Sequence, residues 1–296
     1  MSMAPHVSPF GPDDRLGAAN YVTEREVLRA LSLVKEGRIV DLSLAVGVDS
    51  PRIPGINSPF VISMWSHPLV SQIVHFERGS RNGVAFADER IEFDTHTGTH
   101  IDALGHTSAR GKMYNGVPVS EAVGNHGLSD LDAGKIPPLL TRGVLLDIVT
   151  IKGRFLDPGE PIEAADLEEA EALVPGGVQA GDIALVRTGW ARHYGVDNLH
   201  YAVSAPGITE GASSWLADRQ VAAVAGDTMS IEVTPFVDPA NSDPVHLNLL
   251  VRRGVYMIEQ CNLEPPEIRG REFLCCCLAP RFAGATGSPL RLVAVL

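Results

Sequence analysis

Along the chain, short aliphatic runs alternate with amphipathic stretches. Val144-Leu145-Leu146, inside 142–149, and Ile183-Ala184-Leu185-Val186, inside 183–188, are continuous apolar runs of strand length. That pattern belongs to strands covered on both faces. Residues 38–44, 60–65, 72–76, 221–225, 255–259, 273–278 and 290–295 are further strands on the same criterion. Helices are predicted where capping signals precede a helical spacing. Thr23, with Glu26 at capping-box spacing, opens one that runs to about Lys35 and stops at Gly37. Others cover 119–123, 164–173, 209–218 with Thr209 as cap, and 245–253 with Gly254 as the stop. Strands and helices mix without strict alternation, and several strands follow one another directly. An α/β fold on a mixed β-sheet is the expectation. There is no internal repeat and no long linker. A single domain over 1–296 therefore follows, with 1–38 as an N-terminal extension packing on it.

One predicted strand, 90–101, carries more than packing. His96, His100 and Asp102 sit at even intervals, sharing parity with Glu92, Asp94 and Gly98. An extended backbone points them to one face, and leaves Ile91, Phe93, Thr95, Thr97, Thr99 and Ile101 on the other. Imidazole and carboxylate together suit zinc and other transition metals. Four strand residues span roughly 13 Å, too wide for two imidazoles on one ion. Gly98 lies midway and lacks a Cβ, so a bend there would bring His96 and His100 together. His106 follows Asp102 past a second glycine, Gly105, and is either a further ligand or a base. His246 and Glu259 are candidate ligands only if the fold carries them to Asp102.

Charge narrows the partners. The chain has 296 residues, 45% hydrophobic, with 36 acids against 24 bases and a net charge of -12. That excess, with no Lys/Arg cluster, argues against nucleic acid. No apolar run reaches the length of a membrane span, and the start MSMAPHVSPF has no signal-peptide pattern. A cytoplasmic protein acting on a small molecule is the expectation. Cys275, Cys276 and Cys277 are contiguous, so strand geometry points neighbours apart and they read as buried apolar residues. Gly-x-Ser-x-Gly and Gly-x-Gly-x-x-Gly are both absent, against a serine hydrolase and a dehydrogenase. Arg187-Thr188-Gly189-Trp190 either lines a pocket or ends a strand, and Gly284-Ala285-Thr286-Gly287-Ser288-Pro289 reads as a turn.

His96-Thr97-Gly98-Thr99-His100-Ile101-Asp102-x-x-x-His106 resembles the signature of the cyclase-like, kynurenine-formamidase-like metal-dependent hydrolases. Asp41-Leu42-Ser43, Arg187 to Trp190, 221–227, His246-x-x-Leu249-Leu250, 254–259 and 284–289 resemble other segments of that family. The resemblance implies a swivelling β/β/α domain and a homodimer or homotetramer. It implies His96, His100 and Asp102 as ligands of a first divalent ion, Zn2+ or Mn2+. In members with two ions Asp102 would bridge, with His246 and Glu259 on the second. His106 matches the catalytic histidine. Leu104 stands where the kynurenine formamidase form has proline, and the N-terminal extension is longer. Both lean toward the isatin hydrolase and trans-dienelactone hydrolase branch, whose substrates are cyclic amides or lactones opened to a carboxylate. Phe10, Phe60, Trp65 and Trp190 are candidate pocket walls. The alternatives are an arylformamidase on an open-chain N-formyl substrate, a metal-dependent lyase or cyclase, and a non-catalytic metal-binding protein.

Overall fold

The computed structural model describes residues 7–296; residues 1–6, which include most of the MSMAPHVSPF start, lie outside the described residues. In chain order the strands are β1 (Ile39–Asp41), β2 (Val61–Ser66), β3 (Asp88–Glu92), β4 (His100–Asp102), β5 (Val123–Gly124), β6 (Gly127–Leu128), β7 (Leu139–Asp147) and β8 (Pro161–Ile162). They continue as β9 (Ile183–Arg187), β10 (Gly207–Ile208), β11 (Ala223–Gly226), β12 (Tyr256–Glu259), β13 (Glu272–Cys277), β14 (Gly287–Pro289) and β15 (Val293–Val295). The helices are α1 (Glu24–Leu31), α2 (Pro68–Glu77), α3 (Val119–Ala122), α4 (Ile148–Lys152), α5 (Ala164–Glu171), α6 (Asn198–Val203), α7 (Glu210–Asp218) and α8 (Pro244–His246).

A nine-stranded mixed sheet in the order β1-β15-β13-β7-β9-β11-β12-β4-β14 organises the molecule, as an α/β fold on a mixed sheet requires. Its centre, β7-β9-β11-β12, is parallel, and the flanking pairs are antiparallel. The parallel centre coincides with the continuous aliphatic runs: all five residues of β9 and all four of β11 are buried. α5 and α7 cover this region, and Thr209 caps α7 by accepting from the Ala212 amide at 3.3 Å. β4 lies next to the sheet edge between β12 and β14, so His100 pairs with Glu259 on one side and Pro289 on the other.

Two predicted strands behave differently. Residues 72–76 belong to helix α2. Pro68 occupies its first turn and the His67 ring nitrogen accepts from the Leu69 amide at 3.3 Å, so a cap and a helix-compatible proline decide the outcome. The strand expected over 90–101 is two pieces. The chain leaves β3 after Glu92, turns, and re-enters the sheet at His100. Asp94 makes that turn: its carboxylate accepts from the His96 amide at 3.0 Å and its carbonyl from the Thr97 amide at 3.0 Å. Helix α1 ends at Leu31, short of Lys35, and the Thr23 hydroxyl pairs with the Glu26 carboxylate rather than with a backbone amide.

The segment before α1 is held to the body by Asp14. Its carboxylate accepts from Ser8 Oγ at 2.7 Å, Tyr114 Oη at 2.7 Å, Asn20 Nδ2 at 2.8 Å and the Leu16 amide at 3.0 Å. Asn115 Nδ2 adds bonds to the Gly11, Pro12 and Asp14 carbonyls. At the C-terminal ends of β7, β9 and β11, Arg187 reaches Asp147 and Glu264, each at 2.8 Å, while Asp227 accepts from Thr188 Oγ1 at 2.6 Å and the Gly189 amide at 2.7 Å. The Arg187 to Trp190 segment thus ends a strand and braces the next loop. Cys261, Cys275 and Cys277 are buried.

Candidate metal centre

The centre is built from one turn, three strands and one helix. Gly98 has φ +68°, which reverses the chain between His96 and His100 and sets their ring centroids 5.0 Å apart. The turn is pinned by Gln260, whose Nε2 donates to the His96 carbonyl at 3.0 Å and whose Oε1 accepts from the Gly98 amide at 3.2 Å. His100 and Asp102 keep strand parity on β4 and share a face. Their neighbour β12 contributes Glu259, and β14 contributes Gly287, which pairs with Asp102. A Cβ at Gly287 would lie 2.6 Å from His96 Cε1, so the ring of His96 occupies the space a side chain would take.

The ligand-type atoms gather around Asp102. His96 Nδ1 lies 2.8 Å and His100 Nε2 3.4 Å from Asp102 Oδ1. His100 Nε2 is also 3.6 Å from Glu259 Oε2. His246 Nε2 stands 3.8 Å from both Asp102 Oδ2 and Glu259 Oε1. His106 stacks on His96 with centroids 4.2 Å apart and faces His246 at 5.8 Å. His96, Asp102 and His106 form one group able to hold an ion, and His100, Asp102 and Glu259 another.

The outer contacts aim these rings. Gly98 O is 2.8 Å from His100 Nδ1, so that nitrogen donates and Nε2 is the one that faces Asp102. Thr286 Oγ1 meets His96 Nε2 at 2.9 Å, which leaves Nδ1 on the inner side. His100 Nε2 and both Asp102 oxygens are buried without a hydrogen-bond partner. Buried polar groups of this kind are normally paired, and a divalent cation satisfies a lone pair and two carboxylate oxygens at once. The donor set, imidazole nitrogen with carboxylate oxygen, is that of Zn2+ or Mn2+ sites.

Burial and neighbouring charge set the protonation states. Burial pushes His106 down to about 4, and the adjacent His96, His246 and His100 reinforce this against Asp102. Asp102 is held well below the usual carboxylate range: His106, His96 and His100 outweigh its burial. Burial and the Asp102 charge push Glu259 up. In His246, burial is overcome by Glu232, Glu259 and Asp102, which raise it to about 10.

The structure therefore brings together His96, His100, Asp102, His106, His246 and Glu259. The aromatic candidates have the following surroundings. Trp190 is wholly buried in a small second core with Tyr201, and its indole nitrogen donates to the Tyr201 carbonyl at 3.2 Å, so it packs rather than lines an open cavity. Trp65 is 82% exposed on β2. Phe60 packs on Phe93 with centroids 5.6 Å apart, and Phe10 packs on Tyr21 at 5.0 Å. Sequence reasoning missed Gln260, Thr286 and Glu232. Thr286 lay in a glycine-rich run that read as a turn, and an isolated Gln or Glu carries no spacing signal.

The model of the Cyclase family matches residues 40–233. Cyclase-like protein 3 of Oryza sativa subsp. japonica is 26% identical over 88% of this chain and 80% of its own length. A crystal structure described as a novel cyclase is 30% identical, covers 100% of both chains and superposes with a TM-score of 0.87. Isatin hydrolase A from Ralstonia solanacearum is 24% identical over 87% of this chain and 91% of its own, with a TM-score of 0.63, and shares the fold.

Proposed function

The chain belongs to the Cyclase family, and from that premise we propose that it is a metal-dependent hydrolase that opens a small cyclic amide or lactone to a carboxylate. The observation that carries this reading is the buried, unpartnered set His100 Nε2, Asp102 Oδ1 and Asp102 Oδ2, with His106 stacked on His96 beside it. The fold shared with an isatin hydrolase supports the cyclic-substrate reading. His96, His100 and Asp102 would hold one divalent ion, and Asp102, His246 and Glu259 a second. Such an ion lowers the pKa of water toward neutrality and polarises a carbonyl oxygen.

The chain's own residues supply the rest. His106, with its pKa near 4, is unprotonated at neutral pH and is free to accept a proton from the attacking water. It then gives that proton to the leaving nitrogen or oxygen as the carbonyl carbon–nitrogen or carbon–oxygen bond breaks, and the second water proton is released when the new acid ionises to carboxylate. Gly98 O and Thr286 Oγ1 keep the His100 and His96 rings from turning during the cycle. Burial of Asp102, which has 0% exposure, keeps competing water from its oxygens.

The test is a hydrolysis screen over isatin, cyclic imides, dienelactones and formylkynurenine with added Zn2+ or Mn2+, run in oxygen-18 water. One labelled oxygen in a new carboxylate is the expected result. A rearranged or eliminated product without label would overturn hydrolysis in favour of lyase or cyclase chemistry. Turnover confined to formylkynurenine would overturn the cyclic-substrate reading.

A further inference from the structure

One buried acid close to the centre has no part in the chemistry above. Glu232 is 1% exposed and lies just beyond β11, on a loop whose Glu232 pairs with Ile208 of β10. Its Oε1 meets His246 Nδ1 in a short hydrogen bond. Both oxygens also accept backbone amides at the start of α8, Oε2 from Val245 at 3.2 Å and Oε1 from His246 at 3.3 Å. Three bonds therefore hold one imidazole and the chain that bears it. The preceding residue acts on the opposite partner: the Ile231 amide donates to Glu259 Oε1 at 2.9 Å. One dipeptide, Ile231-Glu232, thus grips both His246 and Glu259. Immediately after His246 the helix widens into a π-type turn over Leu247–Arg253, a distortion often found at functional sites.

We propose that Glu232 is a positioning residue that assembles the half of the centre made by His246, Glu259 and Asp102, and so decides whether a second divalent ion is bound. With Nδ1–H given to Glu232, Nε2 is the nitrogen left to face Asp102 Oδ2 and Glu259 Oε1, each at 3.8 Å, and the one that would take an ion in exchange for its proton. The other half, made by His96 and His100, is oriented by Thr286 and Gly98 and owes nothing to Glu232. Loss of Glu232 should therefore separate the two halves. The inference rests on reading the centre as a divalent-metal site.

The experiment titrates Zn2+ into metal-free wild type, Glu232→Ala and Glu232→Gln by calorimetry, with metal content by mass spectrometry. Wild type is expected to take two ions. Glu232→Ala should keep the first within about threefold and weaken the second about 10- to 100-fold, the usual effect of removing a carboxylate behind a ligating histidine. Glu232→Gln, which can still accept from Nδ1 but carries no charge, should fall between them and carries the test if the alanine variant does not fold. Nitrogen-15 imidazole spectra of the zinc-loaded protein supply a readout that mere loosening would not move. The His246 Nδ1–H signal should persist in Glu232→Gln and vanish in Glu232→Ala. Wild type that binds one ion, or variants that bind the second as wild type does, would overturn the inference. Wild type that binds no zinc would overturn the metal-site reading instead.

Discussion

At the residue scale the centre divides its histidines by environment rather than by kind. His100 is enclosed by Asp102 and Glu259 and is pushed up despite its burial, whereas His106, buried among other imidazoles, is pushed down to about 4. Ligation and proton transfer are accordingly separable by mutation. His106→Ala is expected to retain the metal and to lower kcat about 10²- to 10⁴-fold, the usual contribution of a general acid–base. Metal content measured beside the rate checks it, and full activity would sink the role. Gly287→Ala probes the opposite case. Its Cβ would press on His96 Cε1 from 2.6 Å, so metal affinity should fall while the helix content of the protein is kept. Calorimetric titration and circular dichroism on the same sample would decide.

At the element scale, the turn between β3 and β4 is the feature on which the site depends. Parity and a bend at Gly98 grouped His96 with His100 and Asp102 in the sequence; parity holds for His100 and Asp102 on β4, and the Gly98 bend holds for His96. What the sequence did not show is the turn at Asp94, which breaks the strand before Gly98 takes φ +68°. Any Cβ at Gly98 would also meet Val46 Cγ2 at 2.3 Å. Gly98→Ala should therefore cost about 1–3 kcal/mol of stability and reduce metal uptake together. A melting temperature equal to wild type would contradict this. Helix α2 shows a limit of apolar patterning. Val70, Ile73, Val74 and Phe76 suit either a strand or a helix by spacing, and Pro68 with the His67 cap settles it.

At the scale of the molecule, three outcomes can be measured. Strands β2 and β3 are exposed along nearly all their length, and Trp65, Leu69, Ile73 and Phe76 stand out in solvent around them. A two-stranded ribbon has little stability alone. We propose a homodimer or homotetramer that covers it; sedimentation equilibrium giving a monomer would refute this. The second outcome concerns acid. Burial works to raise Asp14, but bonds from Ser8, Tyr114, Leu16 and Asn20 more than offset it and hold the carboxyl below its ordinary 3.8. A lowered carboxylate contributes stability in full above that value and loses it as pH falls through the folded-state pKa. The advantage of wild type over Asp14→Asn in urea titrations should thus be present at neutral pH and fade below about pH 4. The third is linkage. Zn2+ or Mn2+ at 100 times its dissociation constant should stabilise the fold by about 2.7 kcal/mol, a chelator should reverse it, and His100→Ala should show neither effect.

Local sequence determined what local physics controls. Continuous aliphatic runs specified the central strands, because a strand covered on both faces has no polar side. Thr209 specified the start of α7 and Gly254 the end of the widened helix, since caps and left-handed residues act within a turn. The spacing of His96, His100 and Asp102, with a glycine at the midpoint, marked a concentration of ligand-type side chains. Tertiary structure decided the rest. Glu259 reaches His100 only because β12 pairs with β4, and His246 comes within 3.8 Å of Asp102 because α8 carries it there, with Glu232 of a separate loop bonded to its ring. These partners are distant along the chain and carry no local period, so nothing short of the folded sheet could bring them together around Asp102.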